Sequence, residues 1–88
     1  MKRFQDFYVS RSGRYTLGYD TQTKTNFLSI PVANRMVDYD EYYSLRDQEM
    51  KLYQSDETCA LNFADECRER LHDDRLMLPA GSDRGSAG

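Results

Sequence analysis

The stretch "RYTLGYDTQTKTNFLSIPV", Arg14 to Val32, decides the fold class. Tyr15, Leu17 and Tyr19 fall on one side of an extended chain, with Thr16 and Gly18 on the other. After the polar run from Asp20 to Asn26 the alternation resumes, with Leu28, Ile30 and Val32 on one face. A period of two, interrupted by a Thr- and Asn-rich connection, predicts two antiparallel strands sharing an apolar face. "FQDFYVS" (Phe4 to Ser10), closed by the turn signal Arg11-Ser12-Gly13, predicts a strand before them. "RMVDYDEYY" (Arg35 to Tyr43) predicts one after them, with Val37, Tyr39 and Tyr43 facing one way. Asn34 suits the left-handed position of the turn between. Pro31 resists, because proline cannot donate to a ladder. Its presence predicts either that regular pairing ends near Ile30 or that strand order departs from chain order.

The second half changes period. Ser44 and Asp47 have the spacing of a helix N-cap and its third residue, which predicts a short helix over 45–54 with Leu45, Leu52 and Tyr53 towards the core. Ser55-Asp56-Glu57 is a second start signal, with acids at the positive end of the helix dipole. From there to His72, Ala60, Phe63, Ala64, Cys67 and Leu71 form one apolar stripe, with Leu61 on its border. The expected fold is α+β: an N-terminal antiparallel sheet of three to four strands in a meander, with two C-terminal helices packed on one face. Residues 1–78 make one small domain. Residues 79–88, "PAGSDRGSAG", have no apolar content to offset their ordering entropy and are expected to be a disordered Gly/Ser-rich tail.

Eighty-eight residues allow one sheet and one helical layer. With seven Tyr, four Phe and no Trp, aromatics supply much of the core volume, and a cleft or flat surface is expected rather than a deep enclosed pocket. No apolar run approaches the ~20 residues of a membrane span, and no leader precedes the first strand. Cys59 and Cys67 on one helix would stand about 12 Å apart, too far for a disulfide. Reduced thiols fit a reducing compartment, so a cytoplasmic location is expected.

Charge is uneven. Asp38 to Asp74 holds twelve acids against four bases, whereas residues 1–14 hold four bases against Asp6. A polyanion would meet repulsion from most of the chain, which disfavours nucleic-acid binding except through the basic N-terminal strands, with Arg11, Arg14 and Lys24 as contacts. Enzymatic readings find little support. His72 is the sole histidine, and Asp65, Glu69 and His72 at helical spacing read as a solvated face rather than a metal site. Cys67 lies in the apolar stripe, where burial makes a thiol inert, while Cys59 near a helix start is the more reactive of the two. No cofactor and no metal are expected, since the glycines match no nucleotide-binding spacing.

One segment remains. Asp38-Tyr39-Asp40-Glu41-Tyr42-Tyr43 combines acids with tyrosine, which offers large contact area at low entropy cost. Tyr39 and Tyr43 should turn to the core, leaving Asp38, Asp40, Tyr42 and the intervening Glu41 for recognition. The expected function is a non-enzymatic protein-interaction module, of inhibitor or immunity type in one version, whose partner presents a basic surface. If the segment is an edge strand, a homodimer through it is the variant to consider.

Overall fold

The computed structural model describes residues 3–33, 38–77 and 86–87. Strands β1 (Phe4–Ser10), β2 (Tyr15–Asp20), β3 (Thr25–Ala33) and β4 (Asp38–Leu45) form an antiparallel meander in the order β1-β2-β3-β4. Helices α1 (Asp47–Ser55) and α2 (Glu57–Arg68) follow, then a single 3-10 turn at Asp73–Arg75. The fold is α+β, with the sheet N-terminal, as the change of period predicts. The expected tight turn at Asn34 and the inward Val37 lie outside the described residues, as does most of the expected tail. Within the tail, Ser86–Ala87 (β5) pairs with Val32 and Ala33 at the end of β3.

The inner face of the sheet carries Tyr15, Leu17, Leu28, Ile30, Val32, Tyr43 and Leu45. These bury against Met50 of α1 and Ala60, Phe63, Ala64 and Cys67 of α2. The small residues of the α2 stripe let the helix approach the aromatic sheet closely. Pro31 is accommodated by a difference between its two sides. On one side β4 continues past it, pairing Asp40 with Pro31. On the other, pairing with β2 ends at Ser29, so β3 has an open flank where the proline stands.

The outer face holds a feature the alternation does not predict. Phe27 is fully buried there, in contact with Phe4 at 5.5 Å and Tyr42 at 5.0 Å between ring centroids, while Phe4 stacks on Tyr42 at 3.9 Å. A flat sheet would hold β1 and β4 about 14 Å apart. Curl of the twisted sheet and inward lean of the two rings close that gap over Phe27. Gly18, paired with Phe27, makes this fit: a Cβ there would strike the Phe27 ring and the Gln5 carbonyl oxygen.

Both hairpin loops end on a left-handed residue that is not glycine, Arg14 (φ 55°) and Lys24 (φ 58°). Each is closed by a side chain at its start. Ser10 Oγ accepts from Gly13 N–H at 3.1 Å, and Asp20 accepts from Gln22 N–H at 2.9 Å and the Thr23 hydroxyl at 2.8 Å.

The helix ends differ from expectation. Ser44 stays in β4, and α1 starts two residues later than predicted, with Glu49 accepting from the Arg46 N–H at 2.9 Å. In this phase Met50 faces inward and Leu52 is exposed. The second start is as expected: Asp56 caps α2 by accepting from Thr58 and Cys59 N–H. The helix stops at Arg68, four residues early. Arg70 takes φ 64°, its N–H donates to Cys67 O, and Leu71 N–H reaches Glu66 O, a Schellman closure with arginine where glycine is usual. Leu71 therefore leaves the apolar stripe and is exposed. Among the described residues no helix is long and apolar enough to cross a membrane.

Candidate functional site

Two regions gather polar and aromatic groups. The first lies on the curled outer face. Asp40 is exposed and Tyr42 half-buried, both turned to this side as expected. Asp6 of β1 comes close to both. Burial, although partial, raises the Asp40 carboxyl above the ordinary carboxylate range, and the Asp6 charge adds to the shift. The Tyr42 phenol is likewise raised by burial, then by Asp40 and Asp6. Two carboxylates and a phenol from strands at opposite edges thus converge without a basic side chain in hydrogen-bond contact among the described residues. The shallow groove alongside is lined by Val9, Thr16, Pro31 and Asp40, with Arg11 and Arg14 also on its wall.

The remaining segment residues are placed otherwise. Glu41 is buried on the inner face, accepting from the Tyr43 hydroxyl at 2.9 Å and from Tyr39 at 3.4 Å. Asp38 is described only as the first residue of β4, paired with Ala33. The outer edge of β4 is partly occupied: Leu76 bridges Tyr43, and Met77 N–H donates to Tyr42 O at 2.9 Å. At these positions the backbone is satisfied within the chain. The freer edge is β1, where Phe7 and Val9 are exposed and a bulge interrupts the ladder between Asp6 and Tyr8.

The basic residues do not assemble. Arg11 and Arg14 lie in the β1–β2 loop, whereas Lys24 ends the β2–β3 loop at the far end of β2, roughly 20 Å away by strand length. The spacing of Asp65, Glu69 and His72 is broken by the early helix end. His72 Nε2 instead lies 2.7 Å from Glu66, its ring stacked on Phe63, and Asp65 pairs with Arg68. Among the described residues no cluster suits a metal ion. Cys67 is pushed to about 12 by burial. The Cys59 thiol donates to Asp56 at 3.4 Å, and this contact raises rather than lowers its pKa. The N-cap carboxylate that satisfies the helix start thereby holds the neighbouring thiol protonated.

The second region was not anticipated. A cleft of about 380 Å³ opens where α1 meets α2 over the β1–β2 edge, lined by Tyr8, Tyr15, Tyr53, Gln54, Ser55 and Glu57. Glu57 Oε1 accepts from Ser10 Oγ at 3.0 Å and from the Tyr8 hydroxyl at 3.3 Å. The Tyr8 and Tyr15 rings lie 6.2 Å apart. Tyr15 is 2% exposed, and its buried hydroxyl has no hydrogen-bond partner among the described residues. Ser10 lies close to it and sends its own proton to Glu57. Burial, then the Glu57 charge, raises the Tyr15 phenol, so it stays protonated. Sequence reading assigned Tyr15 to the core, which is correct for its ring. The signal for the cleft was the pairing of that ring with Glu57 across 42 residues, which spacing does not reveal.

No protein-family model, curated protein or solved structure matches the chain.

Proposed function

We propose that the protein is a non-enzymatic interaction module that receives a basic surface of a partner protein on its curled outer face. One observation supports this reading above others: Asp40 and Asp6 stand beside Tyr42, where burial foremost and then the Asp6 charge raise the Asp40 carboxyl. A lysine or arginine placed between them would relieve the repulsion and gain two charge-assisted hydrogen bonds, while Tyr42 adds contact area. Of the four positions expected from sequence, Asp40 and Tyr42 serve this face, joined by Asp6. Glu41 belongs to the interior.

The test is a titration of isotopically labelled protein with a lysine-rich peptide and, separately, a glutamate-rich one of equal length. The amides of Asp6, Asp40 and Tyr42 should shift with the first and stay with the second. Asp40→Lys and Tyr42→Ala should each weaken binding about tenfold. Unchanged affinity in both would sink the reading. A labelled oligonucleotide retarded at low ionic strength would favour the basic loops instead.

A further inference from the structure

We propose that the cleft at the α1–α2 junction is a binding site for an alkyl-guanidinium or primary alkyl-ammonium group, seated against Glu57 and hydrogen-bonded by the Tyr15 hydroxyl. The site is distinct from the outer face: it opens on the helical side of the sheet.

Three features set the ligand class. Among the described residues of the lining, Glu57 is the one charged group, so an anion is repelled and a cation attracted. Its Oε1 is fixed by Ser10 and Tyr8, so the carboxylate is held in place before any ligand arrives. Tyr8, Tyr15 and Tyr53 surround it with aromatic surface, which favours a cation through the ring quadrupole.

The Tyr15 hydroxyl narrows the class further. A buried phenol without a partner is costly to keep, and proteins rarely leave such groups orphaned. Tyr15 lines the cleft together with Glu57 and Tyr8. A phenol oxygen accepts as well as donates, so an N–H of a cation that displaces the groups now covering it satisfies it. A quaternary ammonium would satisfy the rings and Glu57 but leave this oxygen without a partner. The volume of about 380 Å³ lies in the range of small-ligand sites and admits the end of a basic side chain with its alkyl stem. Such a group comes either from a free amine or from an arginine or lysine side chain.

The experiment titrates the full chain with butylguanidinium, butylammonium, tetramethylammonium and butyrate, followed by the Tyr15 ring resonances. A capped Gly-Arg-Gly peptide is added as a further arm. The guanidinium and primary ammonium should shift Tyr15, with tetramethylammonium about tenfold weaker and butyrate silent. Tighter binding of the peptide than of butylguanidinium assigns the site to a basic side chain; equal binding assigns it to a free amine. Glu57→Gln keeps an acceptor for Ser10 and should lose about tenfold in affinity. Tyr15→Phe should bind the guanidinium several-fold more weakly while the empty protein unfolds no more easily than wild type. A Tyr15→Phe variant that is less stable when empty, yet binds guanidinium unchanged, would show that the hydroxyl serves the fold and overturn the proposal. So would the absence of any cation-specific shift at Tyr15. Neither result bears on the outer face, whose readout is at Asp6, Asp40 and Tyr42.

Discussion

Asp20 and Asp40 are aspartates of one sheet that live under opposite conditions. Asp20 is fully covered, though only by a thin layer of its own loop and Arg3. The Arg3 guanidinium forks onto both carboxylate oxygens at 3.1–3.2 Å, and the loop adds Gln22 N–H and the Thr23 hydroxyl. Arg3 foremost, against the cost of burial, holds its pKa at about 2. Asp40 is more open to solvent, yet its pKa is raised, by partial burial and by Asp6. The lesson concerns what a carboxylate is for. One that the fold has neutralised closes a loop. One held beside a like charge remains available to something outside the chain.

The contrast is broken most severely at the Asp20 end. Asp20→Ala should cost about 3 kcal/mol of stability, measured by urea unfolding, because Arg3, Gln22 and Thr23 all lose their acceptor at a covered site. Gly18→Ala should cost about 2 kcal/mol by displacing Phe27, with loss of the ring-current shifts on Phe4 and Tyr42. Acid separates the two groups without mutation. Asp20 moves down from 3.8 to about 2, and Glu49 is also lowered, Arg75 and the Arg46 N–H outweighing its burial. Both folded values lie below the unfolded ones, so the stability they confer is present above pH ~4 and is lost as pH falls, for Asp20 towards about 2. Asp40 shifts the other way and should take up its proton first in a carbonyl-detected titration. The smallest effect is at Asp6→Asn, which should lower the Asp40 midpoint and stabilise the fold by about 0.5 kcal/mol.

The inner face was legible because Leu17, Leu28, Ile30 and Val32 obey a period of two, and all four are buried. The outer cluster was not. Phe27 and Leu28 are adjacent and both buried, so alternation assigns one of them to solvent. The clue lay across the ladder, in a glycine facing a phenylalanine, and reading it requires the register. Leu71 misled because the left-handed residue that closes α2 is Arg70, which carries no sequence signature for such a turn. In the acidic segment from Asp38 to Tyr43, Tyr43 inward and Tyr42 outward follow from alternation alone. The same alternation turns Glu41 inward; what it does not show is that the Tyr39 and Tyr43 hydroxyls meet its carboxylate there. The Tyr15 cleft was hidden for the same reason, since its ring obeys the core pattern and its hydroxyl departs from it.

Arg68 closes α2 onto the first hairpin, donating to the carbonyl oxygens of Gly13 at 2.7 Å and Arg14 at 2.6 Å. These contacts span more than fifty residues of chain. They join the hairpin to the second helix across a long sequence separation, so they are expected to form late in folding. A contact formed after the transition state governs the rate of escape from the native state and leaves the rate of arrival nearly untouched. The Arg68 guanidinium therefore bears on how long the molecule, once folded, keeps α2 docked on its first hairpin.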